Sequence, residues 1–260
     1  MKTCRALLLS FFVLANSAFA NSFQTDMTDL WWNANESGWG VTATHQGDVV
    51  FLTFFVYGTD SRPTFYTASA SYTGSTGQGA LSFSGPMYLT SGPWFGALFD
   101  PNAVGVRQVG TATFTALIDT ATLTYSVDGT VIGKSLTRQT FRANNLTGEY
   151  FGFLLGTNSG CSNPLYAGSG GTAADISIAH SGTSFSMIAN DGKEICTYTG
   201  NYAQAGRMGR SQGTYSCPGR TGTYSLLELE ANPSGLTGRI TSSDTRCSQS
   251  TGRAALARKM

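Results

Sequence analysis

The chain has little charge, few histidines and no long apolar run beyond its N-terminus. Lys, Arg, Asp and Glu make up 12% of its 260 residues, and the formal net charge at pH 7 is +1. A surface with so little excess charge has no general attraction for nucleic acid or anionic lipid. The richest later apolar segment, residues 49–57, has the length of a strand, whereas a transmembrane helix needs roughly 18 apolar residues. We therefore expect no nucleic-acid partner and no membrane span.

Motifs that carry chemistry are also scarce. Calcium-loop spacing and the Rossmann and Walker glycine patterns are missing from the sequence. Residues 209–213 match the G-x-S-x-G nucleophile elbow, but an elbow turns from a strand into a helix and its histidine follows later, whereas His45 and His180 both precede this motif. Each histidine occupies one position of an alternating run, which favours an isolated imidazole over a ligand pair. We predict no catalytic residue, no cofactor and no metal site.

Two pairs of carboxylates are the remaining argument for an enzyme. Glu36 with Asp48, or Glu228 with Glu230, could supply the acid and the nucleophile or base of a glycosidase. Glu228 and Glu230 are two residues apart and would share one face of a strand, which a solvated face explains equally well. A carboxylate-based hydrolase is therefore the third of our functional hypotheses.

The N-terminus has the pattern of an export signal. Lys2 and Arg5 precede an apolar run at residues 6–15, and the small-x-small site at residues 18–20 predicts that residues 1–20 are a signal peptide. Removing this segment leaves 14 basic against 15 acidic side chains, a net charge near −1. We expect the mature protein to be secreted or periplasmic.

The cysteines indicate an oxidised C-terminal half. One of the five lies in the predicted signal peptide, and an even number in an oxidising compartment favours disulfides. Cys196 and Cys217 are equidistant from the Gly206–Arg207 bond in a turn-like stretch at residues 205–209, so an antiparallel hairpin would place them opposite each other. Cys161 and Cys247 would then pair by default. A four-cysteine zinc site is disfavoured because no two cysteines have the close spacing of zinc motifs.

Short alternating runs between turn signals predict an all-β antiparallel fold with almost no helix after the signal peptide. Residues 123–127 alternate cleanly, and Asp128-Gly129 then gives a strong hairpin signal. Similar runs predict about seven strands in residues 38–141 and a similar number in residues 147–242. Each of these two consecutive meanders would close as a small barrel or pack as a sandwich, and the 32 glycines favour barrels because glycine accommodates sharply coiled strands.

The polar stretch near residue 144 divides the mature chain. We predict an N-terminal aromatic-rich β domain at residues 21–143 and a C-terminal disulfide-stapled β domain at residues 144–260. Residues 92–98 resemble residues 148–154, which hints at a duplicated β unit.

Aromatic residues are concentrated in the first half, which contains all four tryptophans. Flat rings beside amide and carboxylate groups offer the stacking surface and the orienting hydrogen bonds that a sugar or another amphipathic ligand needs. The candidate ligand contacts are Trp31, Trp32, Asn33, Glu36, Trp39 and Trp94. The alternative interpretation is that the rings plug or cover a barrel, while Asn33 and Glu36 cap loose backbone groups.

The segment W-W-N-x-x-E-S-G-W-G at residues 31–40, followed by His-Gln-Gly-Asp and an aromatic strand, resembles the hallmark of a family of secreted bacterial proteins. The later runs at residues 196–198 and 213–217 are similar too, so the resemblance covers most of the mature chain. No activity is established for that family. The resemblance implies export and β structure, and it carries over no catalytic residue.

Our first hypothesis is an exported, non-enzymatic binding module for a carbohydrate or another amphipathic ligand. The second is a structural or adhesive envelope protein that presents hairpin edges to an envelope component and has no small-molecule site. Two groups of basic residues could dock an anionic partner or could simply keep a hairpin tip and a frayed tail soluble. These groups are Arg207, Arg210 and Arg220, and Arg253, Arg258 and Lys259.

Overall fold

The protein is described by a computed structural model over residues 25–259, and the predicted signal peptide lies outside these residues. Within them, sixteen strands form two closed antiparallel barrels that follow one another along the chain. Two single-turn 3-10 helices, η1 at Pro101–Ala103 and η2 at Pro164–Tyr166, interrupt the strands. The predicted all-β fold of two consecutive meanders is confirmed, and both meanders are barrels rather than sandwiches.

Barrel 1 contains the first eight strands in sequential order. They are β1 Asp29–Trp32, β2 Gly40–Gln46, β3 Val49–Tyr57, β4 Pro63–Ser75, β5 Leu81–Ser91, β6 Gly105–Ala116, β7 Thr120–Val127 and β8 Thr130–Arg138. The short strand β1 closes the barrel, because it pairs with β2 on one side and with the end of β8 on the other.

Barrel 2 repeats the arrangement with the next eight strands, and β9 closes it by pairing with both β10 and β16. The strands are β9 Gly148–Cys161, β10 Gly168–Ser181, β11 Ser184–Asn190, β12 Ile195–Ala205, β13 Met208–Cys217, β14 Arg220–Asn232, β15 Gly235–Asp244 and β16 Cys247–Arg258.

The sequence predicted about seven strands in each half, which agrees with β2–β8 and with β9–β15. It missed the first strand, β1, and the last strand, β16. Strand β1 is only four residues long, and the Arg- and Ala-rich β16 resembles a soluble tail. The interpretation of the C-terminus as a frayed tail is thus wrong for the residues up to Arg258, which belong to β16. The two segments that suggested a duplicated β unit do not occupy equivalent places, because residues 92–98 lie in the β5–β6 connection whereas residues 148–154 lie in β9.

Alternation along each strand fills the two lumens. In barrel 1, completely buried aromatic side chains from β1, β3, β5 and β6 meet in the centre, namely Trp31, Phe54, Phe83 and Phe114. The core of barrel 2 contains more tyrosine, with Tyr150, Tyr202, Tyr215 and Tyr224 at most 5% exposed. Burying such rings supplies the main stabilisation of each barrel.

Glycine is required at two kinds of position. In the β7–β8 turn, Asp128 and Gly129 both have positive φ, at 46° and 87°, as the Asp-Gly hairpin signal predicts. In β13, a Cβ added to Gly213 would lie 1.9 Å from the carbonyl oxygen of Thr199. A larger residue would therefore separate β12 from β13.

The two barrels meet at the hairpin between β12 and β13. The backbone N–H of Arg207 donates to Asp29 Oδ2 over 3.1 Å, and its side-chain Nε donates to the carbonyl of Thr28 over 2.9 Å. From barrel 1, Arg138 donates to the same carboxylate oxygen over 3.2 Å and to the carbonyl of Asp26 over 2.7 Å. The interpretation that Arg207 simply keeps a hairpin tip soluble is wrong, because Arg207 binds the segment that leads into β1.

Both predicted disulfides form, Cys196 with Cys217 and Cys161 with Cys247. They lie at the end of barrel 2 that is remote from barrel 1, where β12 and β16 begin and β9 and β13 end. The two bonds indicate an oxidising environment. Among the described residues, no helix is long and apolar enough to cross a membrane.

Candidate functional site

The predicted ligand contacts are separated by the barrel wall. Trp31 is completely buried and packs edge-on against Phe114 at a centroid distance of 5.3 Å. Its Nε1–H donates to the carbonyl of Met27 over 3.0 Å, and the guanidinium of Arg138 lies 4.5 Å from the ring centroid. Trp31 is a core residue, as the alternative interpretation proposed, and it does not contribute to a binding surface.

Glu36 organises the β1–β2 connection. Its carboxylate accepts a hydrogen bond from Trp39 Nε1 over 3.2 Å and pairs with Lys134 Nζ over 2.5 Å. Lys134 in turn lies 5.3 Å from the centroid of the Trp39 ring. The hydrogen bond from Lys134 is the main cause of a lowered pKa of Glu36. Glu36 and Trp39 are thus held together by contacts inside the protein.

Trp32 faces the other way, onto the outer surface of barrel 1, and lines a groove with a volume of about 680 Å³. We call this the threonine groove. Six hydroxyl side chains line it, Thr76, Thr115, Thr120, Thr122, Ser135 and Thr137. Three amide side chains add further donors and acceptors, Asn33, Asn35 and Gln78. None of the described residues that line it is charged.

The hydroxyl floor follows from strand alternation. In T-A-T-F-T-A of β6 and T-A-T-L-T-Y of β7, every second residue is buried, so the threonines point outward. Register places them side by side, because Thr122 is opposite both Thr115 and Ser135. Thr137 pairs with Thr120 on one side and with Trp32 on the other, which brings the indole to the edge of this floor.

The shortness of β1 determines which residues form one side of the threonine groove. Because β1 ends at Trp32 and pairs with only two residues of β8, the chain leaves the sheet there and Asn33 and Asn35 line one side. The β4–β5 connection, with Thr76 and Gln78, lines another part. The sequence pointed to Trp32 and Asn33, and it missed the threonines because their alternation signals a strand as much as a site.

Trp94 lies elsewhere, in the β5–β6 connection. It is 71% exposed, and Phe95, Leu98 and Phe99 beside it are 72–97% exposed. We call residues 94–99 the aromatic loop. The loop contains a hydrogen-bonded turn, in which Ala97 N–H donates to the carbonyl of Trp94 over 3.0 Å, and Asp100 caps the following η1. Trp94 does not line the threonine groove, so the structure does not bring the four tryptophans into one site.

The carboxylates considered for hydrolysis are either distant from each other or bound to separate arginines. Glu228 and Glu230 line one groove together with Asp26. Glu36 and Asp48 lie at opposite ends of the seven-residue β2, about 20 Å apart along a strand. Glu228 lies in a β-bulge with φ of 54°, is 8% exposed and pairs with Arg239 at 3.4 Å. Glu230 forms an ion pair with Arg207 instead. Each of the two β14 carboxylates therefore has its own arginine.

The other chemical motifs also have structural partners. Ser211 of the G-x-S-x-G match lies inside β13, is completely buried and shares a 3.0 Å hydrogen bond with the Tyr224 hydroxyl. The motif is therefore not a strand-to-helix elbow. His45 accepts a hydrogen bond from Met27 N–H in barrel 1, whereas His180 accepts one from Leu146 N–H in barrel 2.

The remote end of barrel 2 contains a charged cluster around Arg220, which pairs with Glu194 and, at 2.8 Å, with Asp244. Burial opposes ionisation of Asp244, but the Tyr215 hydroxyl, two backbone N–H groups and Arg220 outweigh it and lower its pKa to about 2. Burial and the bond to Asp244 raise the pKa of Tyr215 to about 12. Glu194 also lies near Cys196 and Cys217, whose sulfurs are joined to each other and so are not thiolate ligands for a metal.

Searches of family models, of curated proteins and of solved structures found no match to this chain.

Proposed function

We propose that this is an exported binding protein without a catalytic role, and that the threonine groove binds a neutral carbohydrate. The groove itself carries the proposal, because it combines one indole, three amides and six hydroxyls with no charged side chain. Sugar rings present an apolar face for stacking and hydroxyls for hydrogen bonding, and the groove offers a partner for each. A volume of about 680 Å³ is within the range of small-ligand sites.

Secretion or periplasmic location belongs to the same proposal. The pattern at residues 1–20 and the two disulfides support it, since disulfides persist in oxidising compartments. Glycans are abundant ligands outside the cytoplasm.

Tryptophan fluorescence titrated with a panel of neutral oligosaccharides tests the proposal. We expect a saturable change with at least one member, and we expect Trp32→Ala to weaken binding by about tenfold or more, because the stacking surface is lost. Thr122→Val removes one hydroxyl at nearly constant volume and is expected to weaken binding about fivefold. The matched control is Trp94→Ala, which truncates an indole outside the groove. No response from the panel, or equal losses in the two tryptophan variants, would refute the proposal.

The aromatic loop favours a second candidate, docking of an envelope component on the end of barrel 1. Its four large apolar side chains are exposed to solvent on a hydrogen-bonded turn, which is characteristic of an interaction surface. Capture of one specific envelope protein, lost in Phe95→Ser and accompanied by no glycan response, would favour this role over carbohydrate binding.

A further inference from the structure

The aromatic loop lies at the end of barrel 1 opposite to the contact with barrel 2. In the antiparallel meander, β1 begins and β8 ends at that contact, whereas β5 ends and β6 begins at the opposite end. The register of β5 with β4 ends at Tyr88, and that of β6 with β7 begins at Ala112. Residues 89–91 then pair with residues 105–107 of β6. Three residues span about 10 Å along a strand, so the loop begins about that far beyond the last partner of β5 on β4.

The side chains of the aromatic loop have few neighbours in the protein. Phe95 and Leu98 are 96% and 97% exposed, Trp94 and Phe99 are 71% and 72% exposed, and Val106 at the start of β6 is 65% exposed. A side chain that is almost fully exposed needs apolar groups on all sides to be buried. A protein surface covers such a side chain mainly from one direction, whereas the acyl chains of a lipid layer surround whatever is inserted among them. The exposure therefore favours a lipid over a protein partner.

Polarity changes sharply next to the loop. Residues 92–99 contain no charged side chain. The charged residues that follow are hydrogen-bonded within the protein, since Asp100 accepts from Asn102 N–H over 2.9 Å and Arg107 donates to Asp128 Oδ2 over 3.0 Å. These groups carry one positive and two negative charges, so they form no basic patch that would attract anionic headgroups. An apolar tip beside a polar base matches the change from acyl chains to headgroups, and tryptophan is favoured at that boundary.

We propose that the aromatic loop anchors the protein to the surface of a lipid bilayer with zwitterionic headgroups. Phe95 and Leu98 insert into the acyl region, and Trp94 lies at its boundary. Interfacial anchors bury their apolar side chains by about 5–10 Å, a depth that the extension of β5 and β6 can supply. The inference rests on the second candidate function, docking through the aromatic loop, and names its partner. It does not depend on the threonine groove.

Sedimentation of the full mature chain with phosphatidylcholine vesicles tests the anchor. We expect association that is not weakened by NaCl and not strengthened by an added anionic lipid, because the contact is apolar. Leu98→Ser and Phe95→Ser are each expected to weaken partition into the vesicles about tenfold or more, since each removes one inserted side chain. The matched control is Leu165→Ser, which removes a leucine that is 89% exposed in η2 and should leave partition unchanged.

Vesicles with bromine near the headgroup end of the acyl chains locate the loop. Bromine quenches an indole that comes close to it, so we expect partial quenching of the tryptophan fluorescence of the parent protein. Trp94→Phe keeps an aromatic ring at this position and is expected to bind the vesicles without quenching. The remaining tryptophans lie away from the loop, because Trp31 is in the barrel core, Trp32 lines the threonine groove and Trp39 bonds to Glu36. Far-UV circular dichroism verifies that every variant is folded.

Four results would overturn the proposal. These are no association with phosphatidylcholine vesicles, association that requires an anionic lipid, equal partition of Leu98→Ser and Leu165→Ser, and quenching that persists in Trp94→Phe. Capture of an envelope protein without binding to pure lipid would also overturn it, while the docking candidate itself would stand. The vesicles contain no carbohydrate, so failure of the anchor and failure of the threonine groove are distinguishable.

Discussion

At the scale of single residues, the side-chain alternation of a strand assigns opposite roles to neighbouring tryptophans. Trp31 and Trp32 are adjacent in β1, yet the first is completely buried against Phe114 and the second lines the threonine groove. Successive side chains of a strand point to opposite faces, so one residue of shift would exchange the two rings. The sequence names both as candidates, and only the register of β1 against β2 and β8 separates them.

The first prediction tests this separation by stability. Trp31→Ala is expected to lower the free energy of unfolding by about 3–5 kcal/mol, because it removes a completely buried ring and leaves a cavity. Trp94→Ala truncates a ring that is 71% exposed and is expected to change the same quantity by less than about 0.5 kcal/mol. Urea denaturation followed by far-UV circular dichroism measures both. Similar values for the two variants would contradict the burial of Trp31.

At the scale of elements, hairpins position the chemistry and the crosslinks. The β12–β13 hairpin carries Arg207 at its turn and the Cys196–Cys217 bond at its open end. The second bond joins the end of β9 to the start of β16, the pair of strands that closes barrel 2. Both crosslinks therefore hold the same end of one barrel, and barrel 1 contains none among the described residues.

The second prediction follows from that asymmetry. Reduction of the disulfides is expected to lower the stability of barrel 2 by about 2–5 kcal/mol per bond, because each bond restricts the unfolded chain. Barrel 1 is expected to retain its unfolding midpoint, reported by tryptophan fluorescence, while far-UV circular dichroism detects the earlier loss of barrel 2. The oxidised protein in the same buffer is the control. An equal shift in both signals would mean that the barrels unfold as one unit.

At the scale of the whole molecule, a polar contact joins two complete hydrophobic cores. Arg138 of barrel 1 and Arg207 of barrel 2 both bind the segment that precedes β1, and Arg210 adds an ion pair with Asp119. Charged hydrogen bonds of this kind orient neighbouring bodies but bury little apolar surface. Loss of the contact should leave each barrel intact.

The third prediction concerns Arg207→Gln. We expect this substitution to cost about 2 kcal/mol of coupling between the barrels, because Asp26 and Glu230 lose a common cationic partner and the carbonyl of Thr28 loses a donor. Thermal unfolding should then show a lower midpoint for barrel 1, reported by tryptophan fluorescence, because Arg207 no longer holds the segment that leads into β1. Arg62→Gln removes an equally charged side chain that is 84% exposed and should unfold like the parent. An unchanged midpoint of barrel 1 in Arg207→Gln would contradict a coupling role for this contact.

The sequence by itself determined the all-β class, the two consecutive meanders, the Asp128-Gly129 turn and the Cys196–Cys217 pairing, from which the Cys161–Cys247 pairing follows by default. These features depend on local patterns, since alternation, positive φ and equal distances from a turn can be read within one hairpin. The structure alone decided that the meanders close into barrels, that β1 and β16 complete them, and that Trp31 lies inside. It also decided that threonines of three strands form one floor and that the aromatic loop begins beyond the last partner of β5 on β4. Those features depend on which distant strands pair and in which register, and that is set by how each whole barrel fills its lumen and closes its edges.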